Sequence, residues 1–370
     1  MGFTRIFALN FLMKKSNAII LTAGYLDSDS GKTAHGLIRG TERFKILGII
    51  DQKVAGRDAG EVLDGKNRNI PVYASMKEFA AQAKEKATYC IIGVATKGGI
   101  LPDELRSSLK EAIENGYGIV NGLHDYVSDY VELAELAKKK GVELIDVRKP
   151  KKFKDLHFWT GDIERVKCLK IAVLGTDCAL GKRTTTRFLT EAMTAAGYRA
   201  EMIYTGQTGW MQGAQYGFIF DSTLNDFISG EMEHAIVKCW DEVRPDVMFI
   251  EGQSGLRNPS GPAGSEWIIS AAADGAILQH NPSRKRFKGL EDYPLDIPHP
   301  KDEIDLIRIY GAPTLGLTIN TMGMKVQEAR AYATATQKEL GIPVVLPLED
   351  GVDELVQALK QMIALKAVKD

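Results

Sequence analysis

The chain is poor in cysteine, in metal-binding spacings and in any surplus of one charge. Its 370 residues hold four cysteines, Cys90, Cys168, Cys178 and Cys239, and no CxxC pair, which argues against a secreted disulfide framework and for a reducing cytoplasm. Six histidines include no HExxH or similar spacing. Lys+Arg number 47 against 48 Asp+Glu, and a net charge of -1 removes the electrostatic reason to expect a nucleic-acid partner. No apolar run reaches the ~20 residues that span a bilayer, so no membrane partner is expected. The apolar start from Phe3 to Leu12 is followed, not preceded, by Lys14 and Lys15, and no small-residue cleavage site comes next, which makes it a poor signal peptide. Met13 is an alternative to Met1 as the start.

What the chain does have is length for two domains and a repeating α/β grammar. Apolar runs of strand length alternate with helical periodicity, the pattern of parallel sheets with crossover helices. Strands are predicted at 18–22, 46–51, 90–94, 118–121 and 142–146 in the first half. In the second they fall at 170–174, 199–204, 247–250, 275–279, 314–319 and 343–347. Between the halves, Arg148-Lys149-Pro150-Lys151-Lys152 opens a basic, aperiodic stretch. The expected organisation is two doubly wound parallel-sheet domains: a Rossmann-like domain over 14–150, a linker over 151–168, and a P-loop NTPase-like domain over 169–370.

The strongest motif is Ile171-Ala172-Val173-Leu174-Gly175-Thr176-Asp177-Cys178-Ala179-Leu180-Gly181-Lys182-Arg183-Thr184-Thr185-Thr186. A buried-type strand, a glycine-bounded loop and Gly-Lys before a helix suit phosphate binding, because backbone N–H groups and the helix N-terminus converge on one anion while lysine adds a point charge. The loop departs from GxxxxGK[ST] twice. Five residues separate its glycines, and Arg183 stands where a magnesium-binding hydroxyl belongs. Thr184 lies one helical step, ~100°, further round. If ATP and magnesium are used, Thr184 and Glu251 are the candidate metal ligands.

Glu251 ends the apolar run Val247-Met248-Phe249-Ile250 in the place of a Walker B acid; a strand-end carboxylate satisfied by nearby amides is the plainer alternative. Gln253 and Ser254 follow it, then Arg257. The loop Thr205-Gly206-Gln207-Thr208-Gly209 follows another strand, and its hydroxyls and amides suit a polar substrate, with a structural turn around Trp210 as the alternative. Asn320 ends a further strand, where the dethiobiotin synthetase branch, which this loop resembles, recognises its base. Arg284 and Arg286 sit in a basic run that suits an extra cofactor phosphate or else is a solvated loop. In the first half, Gly24-Tyr25-Leu26-Asp27-Ser28-Asp29-Ser30-Gly31-Lys32-Thr33 is too long for a standard P-loop. Asp51 follows about 27 residues after Gly24, where a Rossmann fold holds ribose, yet GxGxxG is absent. His124 is a candidate titrating group or a structural hydrogen-bonding residue.

Gly31-Lys32-Thr33-Ala34-His35-Gly36-Leu37, Gly122-Leu123-His124-Asp125, Asp146-Val147-Arg148-Lys149-Pro150, the loop from Gly175 to Thr185, and Thr205-Gly206-Gln207-Thr208-Gly209 occur in order. Together they resemble the D-glutamate N-acetyltransferase family, long catalogued as a domain of unknown function, from about Lys15 to Leu365. That resemblance implies acetyl transfer from acetyl-CoA to the amine of D-glutamate or a related D-amino acid, and a homo-oligomer. On that reading Gly175, Thr176, Asp177, Cys178, Gly181, Lys182, Arg183, Thr184, Thr185, Asn320, Arg284 and Arg286 are candidates for the cofactor. Lys182 and Glu251 are candidates for catalysis, and Thr205, Gln207, Thr208, Gln253, Ser254, Arg257 and His124 for the amino-acid substrate. The alternatives are an ATP- and magnesium-dependent ligase or carboxylase resembling dethiobiotin synthetase, and a nucleotide-binding protein without small-molecule turnover.

Overall fold

Strands form where β-branched residues run uninterrupted, and in a parallel sheet both faces of each strand are covered, so the runs lose their alternation. The computed structural model describes residues 15–367 and carries this out twice. The apolar start and the choice between Met1 and Met13 lie outside the described residues. The described chain forms two units: residues 15–149 with Met211–Gly213, and Pro150–Trp210 with residues 214–367.

In the first unit the strands are β1 (Ser16–Leu21), β2 (Phe44–Ile50), β3 (Val72–Tyr73), β4 (Tyr89–Ile92), β5 (Gly118–Asn121) and β6 (Leu144–Asp146). They lie in the order β3-β2-β1-β4-β5-β6, all parallel, which is the Rossmann order. Helices Asp103–Glu114 and Val131–Lys140 are amphipathic crossovers; the second stops at Gly141, whose left-handed φ of 67° a side chain would strain. Their apolar faces, Leu105, Leu109, Ala112 and Leu133 among them, share one core with Ile19, Cys90, Ile92 and Ile119.

In the second unit the strands are β7 (Leu169–Gly175), β8 (Ala200–Tyr204), β9 (Tyr216–Gly217), β10 (Val247–Glu251), β11 (Gly275–His280), β12 (Thr314–Ile319) and β13 (Val344–Val345). Their order is β13-β12-β11-β7-β10-β8-β9, again all parallel. β7 is central and every residue in it is buried. Ile171 and Val173 face one core with Val247, Phe249, Leu189 and Leu355, while Ala172 and Leu174 face the other with Met248, Ile250, Leu278 and Trp267. Such a strand, packed on both faces, sets where its carboxyl end and the start of the loop after it lie.

Residues 151–168 belong to the second unit and are packed, not extended as a tether. They lie along the helix Ile228–Val243, whose Gly230 leaves no room for a Cβ beside His157 O. Two buried carboxylates of that helix take up the strap's polar groups. Glu231 accepts from Lys151 Nζ (2.5 Å), His157 N (3.0 Å) and His157 Nδ1 (2.8 Å). Glu233 accepts from Thr160 N (2.6 Å), Thr160 Oγ1 (2.9 Å), Gly161 N (2.8 Å) and Ile163 N (3.1 Å). Among the described residues no helix is long and apolar enough to cross a membrane.

Candidate phosphate-binding site of the second unit

β7 delivers the chain to Gly175, residues 176–181 form a loop, and the helix Lys182–Ala195 begins at once. Gly181 has φ 101° and Ala179 φ 52°, so the loop folds back on itself through left-handed backbone. Gly175 is needed for close approach: a Cβ there would lie 3.0 Å from Lys182 Cδ and 3.1 Å from its Nζ. The lysine is thus laid over the strand end and is 5 % exposed. Its Nζ donates to Asp177 O and Ser254 O, both at 2.7 Å, which leaves one of an ammonium's three donors for a phosphate oxygen. Burial brings its pKa down to about 8, with Cys178, Asp177 and Glu251 pulling the other way.

Other sequence-predicted residues hold this loop in place. The Asp177 carboxylate accepts from Asn258 Nδ2 (2.8 Å), Arg284 NH1 (2.9 Å) and Lys288 N (2.9 Å). Arg284 also donates to Cys178 O (2.6 Å), so this member of the basic run is joined to the loop. Asn320 donates to Leu180 O (2.8 Å), and Thr176 Oγ1 pairs with His280 Nδ1 (3.0 Å). Burial pushes that histidine down to about 4, which keeps it neutral. Thr185 Oγ1 donates to Gln279 Oε1 (2.5 Å), and Thr186 Oγ1 donates back to Lys182 O (2.8 Å). Cys178 Sγ lies 3.4 Å from Ser254 Oγ, and Ser254 itself has φ 34°. All four cysteines are free thiols; Cys178 is half-buried, while burial pushes Cys90 and Cys168 up to about 12.

β10 runs beside β7, Glu251 pairing in register with Val173, so Glu251 ends next to the loop. Its Oε2 accepts from Thr205 N (2.9 Å) and Gly206 N (3.2 Å), and its carbonyl from Thr205 Oγ1 (2.6 Å) and Trp267 Nε1 (2.7 Å). Gln253 Nε2 donates to Thr205 Oγ1 (3.0 Å). Burial raises the Glu251 pKa, and the two amides, Arg183 and Lys182 oppose that rise without cancelling it. Gly206 and Gly209 bring backbone close to the carboxylate: a Cβ on Gly209 would lie 3.0 Å from Oε2. Gln207 and Thr208, buried, open the short helix Gln207–Gln212 just after it.

Three predicted residues have other surroundings. Arg257 gives its Nε to Glu303 Oε1 at 2.6 Å, and Glu303 is buried. Arg286 pairs with Asp296 at 3.1 Å. His124 belongs to the first unit, where its N–H donates to Gly99 O at 2.9 Å. In that unit Asp51 is fully buried and accepts from Thr22 Oγ1 (2.7 Å), Gly24 N (2.9 Å), Leu26 N (3.1 Å) and Lys53 N (3.0 Å). Its oxygens are therefore committed to the turn after β1 and are not turned out to receive a ribose.

Sequence reasoning missed Asn258, Gln279 and Trp267. Gln279 carried the same signal as Glu251, a polar residue ending an apolar strand. Trp267 carried none, because its role is to donate to a carbonyl 16 residues earlier.

A resident magnesium ion fits these donors poorly. Arg183 stands directly after Lys182, the hydroxyls of Thr185 and Thr186 are committed, and Glu251 already accepts two amides through one oxygen. The third threonine, Thr184, offers a single hydroxyl on a different helical face.

The fold and loop define a two-unit α/β protein that joins a Rossmann-like sheet to a P-loop sheet. Family models agree: residues 52–150 match the Rossmann-like domain DUF1611_N and residues 157–356 the P-loop domain DUF1611, both described as domains of unknown function. Two curated relatives are named D-glutamate N-acetyltransferase. The one from Pseudoalteromonas sp is 30% identical over 75% of this chain and 82% of its own, and the one from Tritonibacter scottomollicae 30% identical over 80% and 88%. A crystal structure of a DUF1611 family protein from Anabaena variabilis superposes with a TM-score of 0.84 at 27% identity, covering 94% of this chain and 100% of that one. The chain belongs to the DUF1611 family.

Proposed function

We propose that the protein is an N-acetyltransferase that moves acetyl from acetyl-CoA to the amine of D-glutamate or a related D-amino acid. The observation that carries this reading is the adjacency of a buried, loop-held lysine and a buried carboxylate at the ends of neighbouring strands, in a chain whose curated relatives bear that name. On this reading the loop from Gly175 to Thr185 holds the cofactor diphosphate through Lys182 and the helix N-terminus. Glu251 takes a proton from the substrate ammonium, since only a neutral amine attacks. The nitrogen then adds to the thioester carbonyl, the carbon–sulfur bond breaks, and CoA leaves as the thiolate and takes up a proton. Thr205 donates to the base and Gln253 to Thr205 Oγ1, and with Gln207, Thr208 and Ser254 from the same two loops they would orient the amino acid; Arg257 is assigned to one of its carboxylates with no contact that singles it out.

The test is release of free CoA thiol by the purified protein with acetyl-CoA and each of a panel of D- and L-amino acids. Thiol release that requires D-glutamate supports the reading. Failure with every amino acid, together with substrate-dependent ADP release from ATP and magnesium, would replace it with the ligase reading.

The lysine adds a pH dependence. A pKa of about 8 means that Lys182 is charged below that value and loses its proton as pH rises through it. Cofactor phosphates carry constant charge over the same range, their last pKa being ~6. Affinity for CoA is therefore expected to be level near pH ~7, where the phosphates are already fully charged, and to fall towards about tenfold per unit above pH ~9, because only the protonated lysine binds. Calorimetric titration across that range checks this; a flat profile would mean the lysine is not the phosphate ligand.

A further inference from the structure

The position after Lys182 is where the loop breaks with metal-assisted phosphate binding. A P-loop that uses magnesium places a hydroxyl there and an acid on a neighbouring strand, and the ion neutralises phosphate charge between them. Here the hydroxyl is replaced by the guanidinium of Arg183, in the first turn of the helix Lys182–Ala195.

The neighbouring residues fit that exchange. Of the next three hydroxyls along the helix, Thr184 stands one helical step, ~100°, round from the position after the lysine, Thr185 is aimed at Gln279 and Thr186 back at Lys182 O. The loop's own acid, Asp177, is fully buried and saturated by Asn258, Arg284 and the amide of Lys288, so it offers nothing to a cation. Glu251 occupies the acid's place but faces an arginine: among the charges that favour its carboxylate, Arg183 outweighs even Lys182. A permanent cation thus already favours that carboxylate's charge from the first turn of the helix, one residue after the lysine of the loop.

We propose that Arg183 takes the place of the divalent cation, so that this P-loop holds a diphosphate-bearing cofactor without magnesium. A guanidinium suits the task because its planar fork reaches oxygens on two adjacent phosphates while its charge never titrates. The inference rests on reading residues 175–185 as a phosphate cradle; it does not depend on acetyl transfer.

The experiment is calorimetric binding of CoA and, separately, of ADP to the full chain, with magnesium and with EDTA. Equal dissociation constants in the two buffers are expected for the wild type. Arg183→Ala should weaken both probes about tenfold or more, with Arg183→Lys between the two. Arg183→Ser should recover part of its loss when magnesium is added, since the hydroxyl is restored. If Arg183→Ala fails to fold, the lysine and serine variants carry the comparison. Wild-type binding that tightens about tenfold with magnesium overturns the proposal, and so does Arg183→Ala binding as tightly as the wild type. ADP binding without CoA binding would overturn the proposed cofactor and sustain this inference. Binding of neither probe overturns both.

Discussion

Replacing Glu251 by glutamine is expected to lower kcat for the proposed acetyl transfer by about 10²–10⁴-fold, the range that a positioned general base supplies. The substitution isolates chemistry from architecture. Both amide donors, Thr205 N and Gly206 N, converge on the single oxygen Oε2, and a glutamine carbonyl can accept both. The loop after β8 should therefore keep its shape, and the melting temperature and CoA affinity should stay close to those of the wild type. What disappears is the ability to accept a proton. Burial raises the Glu251 pKa towards that of an amine, so the native carboxylate is a better base than an exposed one, and glutamine is none at all. Steady-state thiol release, read with binding and thermal denaturation on the same preparation, checks the prediction. Activity within about threefold of wild type would leave Glu251 as an anchor for Thr205 and Gly206 only.

Much of this site was legible because its signals are local. A strand, a glycine-bounded loop and Gly-Lys before a helix are contiguous, and Glu251 announces itself by ending an apolar run. The strands buried on both faces were equally plain, with β5 at Gly118–Asn121 and β12 at Thr314–Ile319 falling where their sequences place them. The two-residue edge strands β3 and β9 were missed, since so short a segment shows no period and pairs on one side only. The roles of Arg284 and Asp51 were not legible either. Each looked placed for a ligand, yet each serves the protein's own backbone: Arg284 meets Cys178 O and Asp177, and Asp51 meets the amides of Gly24 and Leu26. Whether a charge turns outward or inward depends on contacts made across tens to more than a hundred residues, which no local pattern encodes.

The segment over 151–168 shows the same limit on a larger scale, and it yields the largest expected effect on stability. Its basic, aperiodic composition reads as a solvated linker because the acids that hold it lie some 70 residues further on, in a helix whose sequence looks ordinary. Glu233 is 3 % exposed and accepts four hydrogen bonds from Thr160, Gly161 and Ile163. Replacing it by alanine removes one carboxylate and leaves three backbone N–H groups of the strap without their acceptor. An orphaned buried donor costs roughly 1–3 kcal/mol; of the three only the Ile163 N–H is buried, and water can reach those of Thr160 and Gly161, so a loss of about 2–4 kcal/mol is expected. Glu233→Gln retains one acceptor oxygen and should cost less than half as much. A chain of two units need not unfold in one step, so the decisive measurement is local. Amide hydrogen exchange at residues 160–163 should accelerate steeply in the alanine variant, while exchange in β1, β4 and β5 of the first unit stays unchanged. A uniform acceleration in both units would show that Glu233 supports the whole molecule, and an unchanged rate at 160–163 would show that the strap is held by Glu231 and its apolar contacts alone.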